Sequence, residues 1–276
     1  MRSRRRPSTR TQHPDRAPAP GTRSEASRLA AARYSAAMKE PPLRALLFDV
    51  FGTVVDWRSG VAREGEALAS RLGLPRTDWG QVADRWRALY QPAMEEVRSG
   101  RRPFVPLDTL HRENLEAVLA EFGIKDLPAA EVDEFSRAWH RLDPWPDSVE
   151  GLTRLKARYI VAPQSNGNIA LIVNMAKRAG LPWDCVLGAE VTGHYKPDPE
   201  CYREACRLLG LRGEECMMVA AHQGDLIAAR DAAGVRTAFI PRPLEYGPGA
   251  ARDLTPRAEF DVVADSLVAL AERLGC

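Results

Sequence analysis

Apolar residues follow two different rhythms along this chain. In the second half they come as short runs: "RYIVAPQSN" (158–166), "CVLGAEV" (185–191), "CMMVAAH" (216–222), "RTAFIPR" (236–242) and "FDVVAD" (260–265). Stretches with helical spacing follow the first three, at Ile169–Ala179, Pro199–Leu209 and Leu226–Ala233, and another, Ser266–Leu274, closes the chain. Runs that stay apolar, instead of alternating, predict strands covered on both faces. Strands that alternate with helices of this length predict βαβ units and a parallel sheet. One more such run, Leu43–Val50, stands about 100 residues upstream of the others.

The residues in between keep a helical period. Segments 61–73, 79–100, 107–123 and 131–142 carry apolar residues at i, i+3 and i+4. Gly73, Gly100 and Gly123 lie where helix C-terminal glycines belong, and proline-containing breaks at 75, 103, 128 and 144–146 separate the segments. The expected fold is therefore α/β: a doubly wound, Rossmann-like parallel sheet interrupted after its first strand by a helical insert. The core is expected over 43–56 and 146–276 and the insert over 57–145. Open α/β sheets bind ligands at the carboxyl ends of their strands, so the insert is expected to cap that crevice.

Charge separates the first residues from the rest. Residues 1–37 hold nine arginines against Asp15 and Glu25, a net +7, which leaves −5 for the remaining 239. Residues 1–40 are rich in Arg, Ser, Pro and Ala and are expected to be a disordered basic tail. Met38 reads as the start of the protein proper, with an over-extended gene model before it; a transit peptide and a weak polyanion-binding segment are the other readings. A twin-arginine signal would need an apolar stretch that does not follow. The acidic body lacks the basic character of a nucleic-acid binder, and no run of 18 apolar residues predicts a membrane span. Five cysteines without C-x-x-C or zinc spacing favour a reducing, cytoplasmic setting and no metal site.

Candidate chemistry gathers at the predicted strand ends. Asp49 closes the first strand, Ser165 and Asn166 the second, Lys196 follows the third, and His222 and Asp225 follow the fourth. Each has a plain reading taken singly: a turn cap, an Asn-Gly turn, a solvated lysine, a helix N-cap. Four polar strand ends on one sheet edge instead point to a shared crevice. The stretch "IPRPLEYGPG" (240–249) reads as a rigid surface connection, and the six tryptophans, mostly in or beside the insert, as packing with one or two facing a ligand slot.

These motifs, "DVFGT" (49–53), "SN" (165–166), Lys196 in "YKPD" and "HQGD" (222–225), closely resemble those of the haloacid dehalogenase superfamily in order and spacing. The resemblance spans about residues 43–270 and is nearest to the L-2-haloacid dehalogenases (haloacid dehalogenase type II). Phosphatases of the superfamily place a second acid two residues after the nucleophile, to protonate a leaving alcohol; here that position is Phe51. A halide needs no such proton, and a second carboxylate would repel that of a haloacid. Trp86–Arg87 resembles the family's cap arginine, although Arg87 lies 38 residues after Asp49, slightly farther than the family spacing.

The resemblance implies that Asp49 displaces halide from C2 of a small 2-haloacid, forming an aspartyl ester that water cleaves to a 2-hydroxy acid with C2 inverted. It implies Lys196, Asp225, Thr53 and Arg87 as catalytic partners, and Phe51, Arg87, Ser165, Asn166 and His222 around substrate and halide. It implies no cofactor and no metal. Family members often form homodimers, and that assembly is the expectation here. One departure is the fourth motif, "AAHQGD" (220–225), which replaces Ser, Asn and Trp of the familiar Ser-x-Asn-x-Trp-Asp pattern by Ala220, His222 and Gly224. The halide pocket must differ accordingly, and fluoroacetate enters as a candidate substrate. Two other readings stay open: a phosphatase of the same superfamily that would need Mg2+, and a non-catalytic binding module.

Overall fold

The computed structural model describes residues 41–250 and 254–276. The basic segment 1–40 lies outside the described residues. Six parallel strands form one sheet, in the order β5-β4-β1-β6-β7-β8: β1 (Ala45–Phe48), β4 (Ile160–Ser165), β5 (Leu187–Gly188), β6 (Cys216–Ala220), β7 (Arg236–Phe239) and β8 (Val262–Val263). The strand order reverses at β1, so the crevice beyond its carboxyl end is the natural ligand site.

Successive residues of a strand point to opposite faces. In β1, Leu46 and Phe48 enter one apolar core while Ala45 and Leu47 enter the other. The first core takes α5 (Ser148–Lys156), α6 (Ile169–Ala179) and α9 (Leu267–Arg273); the second takes α7 (Pro199–Leu208) and α8 (Gln223–Ala233). This two-sided cover is why the strands read as unbroken apolar runs. Helix α5 carries Leu152 and Leu155 inward but is too short for its period to stand out, and the sequence reading passed over it.

The insert begins at α1 (Trp57–Leu72) and continues through α2 (Trp79–Arg98), α3 (Leu107–Glu121), α4 (Ala129–Ser136) and a 3-10 turn, Arg137–Arg141. A small antiparallel ribbon pairs β2 (Val55–Asp56) with β3 (Asp143–Pro144) where the chain enters and leaves the insert. Helix α2 buries Trp79, Val82, Ala83, Trp86, Tyr90 and Met94, a stripe with helical spacing, while Arg85 on another face pairs with Glu121. Two differences from expectation concern length. The run 185–191 supplies only the two-residue β5 before a 3-10 turn, and segment 131–142 breaks into α4 plus its 3-10 extension. Among the described residues, no helix is long and apolar enough to cross a membrane.

Candidate active site

The turn after β1 builds the centre of the crevice. Asp49 extends the ladder with its N–H on the Val219 carbonyl at 3.0 Å, and the residue is 7% exposed. Three donors converge on it. Lys196 Nζ donates to Oδ1 at 3.0 Å, while Thr53 Oγ1 and His222 Nδ1 stand 2.7 and 2.9 Å from Oδ2. Burial alone would raise the Asp49 pKa, but the Lys196 and His222 charges, with these hydrogen bonds, hold it well below the usual carboxylate range. Thr53 is itself placed by accepting the Ala221 N–H at 2.8 Å.

Lys196 Nζ lies between two carboxylates, bonding Asp225 Oδ2 at 2.5 Å as well as Asp49. The other Asp225 oxygen accepts from Tyr202 OH at 2.5 Å. Burial and the nearby Asp49 charge push Asp225 upward against the pull of Lys196, and the two carboxylates together hold Lys196 protonated. Asn166 Oδ1 accepts the Lys196 backbone N–H at 2.7 Å and so positions the loop that carries the lysine.

His222 has a partner on each ring nitrogen. Nδ1 faces Asp49, and Nε2 lies 2.9 Å from Glu245 Oε1. Satisfying both carboxylates requires both N–H groups and hence an imidazolium. Burial opposes that charge, but the hydrogen bonds and charges of Asp49 and Glu245 outweigh it and raise the pKa to about 10. Glu245 is 3% exposed and also accepts from Trp57 Nε1 at 3.1 Å. Its carboxylate lies directly over Gly52, whose φ is +87° and where an added Cβ would meet Oε1 at 2.3 Å. Glycine is therefore required there twice, by backbone conformation and by this close approach.

Glu245 belongs to the segment 240–249, which packs over the turn after Asp49 instead of forming a mere surface connection. Arg242 in the same loop donates to the Thr53 carbonyl at 2.9 Å and clamps Asp147 with both terminal nitrogens. A usable signal was present in the sequence: the loop follows β7, another strand whose carboxyl end faces the same crevice.

A cavity of about 800 Å3 opens onto Asp49 and is lined by Lys196, Asn166, His222, Tyr202 and Asp225 from the core and by Arg87, Tyr90 and Trp57 from the insert. The Arg87 guanidinium sits 4.2 Å from the Tyr90 ring centre and 5.5 Å from that of Trp57, and its buried Nη1 has no hydrogen-bond partner. Burial weakens this cation, yet surrounding Tyr90, Tyr246, Glu245 and Asp49 keep its pKa above the usual arginine value. Arg87 thus brings to the cavity wall a buried guanidinium with an unmet donor, a group whose charge favours an anion nearby. Gly224 also lines the cavity, and a Cβ there would meet nothing within 4 Å.

The structure thus brings Asp49, Thr53, Arg87, Asn166, Lys196, His222 and Asp225 together. Thr53 sits behind Asp49 rather than on the cavity wall, and two other sequence candidates neither line the cavity nor bond Asp49. Phe51 is 2% exposed and packs edge-on against Trp139, with ring centres 5.6 Å apart. Ser165 Oγ turns back to accept the Gly167 N–H at 3.1 Å. Among the described residues, no three or more His, Cys, Asp or Glu side chains are grouped to hold a metal ion.

Comparison with known proteins bears on the family and the fold. Residues 43–233 match the family model of haloacid dehalogenase-like hydrolases. The (S)-2-haloacid dehalogenase 4A of Burkholderia cepacia is 30% identical over 187 residues, 67% of this chain and 77% of that protein. A solved structure of a defluorinating L-2-haloacid dehalogenase is 51% identical with a TM-score of 0.82, covering 85% of this chain and 96% of its own. A second L-2-haloacid dehalogenase structure is 50% identical with a TM-score of 0.80, covering 84% and 98%.

Proposed function

Because this chain belongs to the haloacid dehalogenase-like hydrolase family, we propose that it cleaves the carbon–halogen bond of short (S)-2-haloacids by way of an Asp49 ester. The observation that carries the reading is the environment of Asp49. Its carboxylate is ionised, buried and aimed by three donors, while the neighbouring position 51 is an apolar ring turned into the core. A nucleophile without an adjacent carboxylic acid suits a leaving group that departs as a stable anion.

In the first step an Asp49 oxygen attacks C2 from the side opposite the halogen, the carbon–halogen bond breaks, and halide leaves with its electron pair. Arg87, with an unpartnered N–H in a largely apolar wall, receives the anion together with Asn166. In the second step water attacks the ester carbonyl of Asp49 and releases the 2-hydroxy acid, so C2 inverts once. Lys196 keeps Asp49 ionised at the start and stabilises the ester oxygen later; Asp225 and Tyr202 keep Lys196 in place.

Fluoroacetate is the second substrate class. The Arg87 guanidinium on the cavity wall is a strong donor for a small, hard anion, and one solved structure 51% identical to this chain is of a defluorinating dehalogenase.

Chloride release from L-2-chloropropionate tests the main reading, with p-nitrophenyl phosphate plus Mg2+ as the competing substrate. Asp49→Asn is expected to lower chloride release by at least ~10^3-fold, as removal of an essential nucleophile does. Phosphate release by the wild type without halide release would replace this reading by the phosphatase one.

A further inference from the structure

The geometry points to Glu245 as a positioning residue that turns His222 into the acceptor of the hydrolytic water's proton once Asp49 has been esterified. The inference rests on the dehalogenase reading and deepens its second step.

In the resting site His222 cannot act as a base. Both of its nitrogens face carboxylates, so both carry protons. Alkylation of Asp49 changes one side only. The ester is neutral and no longer rewards the proton on Nδ1, while Glu245 remains ionised on Nε2. The imidazole then releases the Nδ1 proton to the cavity and keeps the Nε2 proton. That is the tautomer whose free lone pair points at Asp49, where water must attack. Glu245 selects this tautomer and is itself held by Trp57 Nε1 and by its seat over Gly52.

The other polar groups near the ester are committed. Each Asp225 oxygen already accepts a hydrogen bond, from Lys196 or from Tyr202. Thr53 donates to Asp49 and accepts from Ala221, and Lys196 and Arg87 are cations. The charged groups around His222 are Asp49 after β1, Glu245 after β7, Lys196 ahead of α7, Asp225 on α8 and Arg87 on α2. Among them only the Asp49 charge disappears during the cycle.

The protons balance. His222 first loses one proton to solvent. It takes one from the attacking water and returns it to the alkoxide as the tetrahedral intermediate collapses. Asp49 is left as a carboxylic acid and passes its proton to His222, restoring the imidazolium. The net product of water and haloacid is hydroxy acid, halide and one proton.

The test is single-turnover kinetics across pH, with halide release and Asp49-ester decay followed separately, the latter by intact-protein mass. In Glu245→Gln, ester decay is expected to slow at least tenfold while halide release changes only a few-fold. The acid limb of the decay profile is expected to move down by about one pH unit, because a favourable anion has left the imidazole. Trp57→Phe removes the N–H on Glu245, makes that carboxylate more basic, and is expected to move the limb upward. Opposite shifts cannot come from general damage to packing. A limb unmoved in both variants, or equal slowing of both steps in Glu245→Gln, overturns the inference. Absence of halide from the wild type would overturn the dehalogenase reading and this inference with it.

Discussion

At the scale of single residues, the site is a chain of alternating charges: Asp225, Lys196, Asp49, His222 and Glu245. Each carboxylate has a cationic neighbour, which is how so many ionised groups persist in a largely buried place. His222 gives this arrangement a pH signature. Its pKa is about 10 in the folded protein, against about 6.5 for an unperturbed histidine. Its stabilising contribution is therefore complete below about pH 6.5 and disappears as the pH rises through about 10. Urea unfolding should show His222→Asn well below the wild type at pH 6, with the gap closing toward pH 10. A gap that widens with pH would contradict an imidazolium in the resting site. Most of these residues were legible in the sequence, because strand ends mark them. Glu245 was not singled out, because Pro and Gly around it hide any period and its partners are 188 and 23 residues away.

At the scale of elements, the insert depends on close packing of aromatic rings. Trp139 stacks on Trp57 with centres 6.2 Å apart and on His111 at 4.3 Å, and Trp86 meets Trp139 edge-on at 5.5 Å. Helices α1 and α2 come together because Gly65 leaves room for Trp79; a Cβ there would lie 2.2 Å from its ring. Gly65→Ala should improve helix propensity by up to ~1 kcal/mol. Overpacking against a buried ring costs about 1–3 kcal/mol and should prevail. Thermal unfolding is expected to show a lower midpoint for this variant, and an increase would mean that Trp79 can move aside freely. The helical period announced α1 to α4 well, since a buried face repeats every turn. It did not announce β2 and β3, because two-residue strands have no period to read and arise from the chain crossing itself at the entrance to the insert.

At the scale of the whole described molecule, the insert is fastened to the core on the side of α3. Asp108 accepts from Asn168 Nδ2 at 2.8 Å, and its backbone N–H donates to Asn168 Oδ1 at 3.2 Å. His140 spans Asp108 and Asn174, each at 3.0 Å. Tyr195 OH reaches the Val105 carbonyl at 2.7 Å, and Arg98 donates to the Lys196 carbonyl at 3.1 Å. These bonds are expected to set how closely Arg87, carried by α2, approaches Asp49. Asp108→Ala removes two side-chain bonds at once and should cost about 1–3 kcal/mol, since each contributes about 0.5–1.5 kcal/mol net. The larger effect is expected on kcat/KM, through misplacement of Arg87. Denaturant midpoints and steady-state kinetics check both parts; unchanged kinetics would mean that Arg87 is placed without this fastening.

The sequence by itself determined the parallel α/β core, the position of the helical insert and the strand-end residues, including the nucleophile candidate without an acid at position 51. These are local properties: period, punctuation and the end of an apolar run are written in neighbouring residues. Tertiary structure alone decided which of those groups face the cavity, turning Ser165 and Phe51 away from it and bringing Arg87 from the insert to its wall. It also decided the protonation of His222, because that depends on two carboxylates brought from 173 and 23 residues away. Electrostatic state is a function of distance in space, and no spacing along the chain contains it.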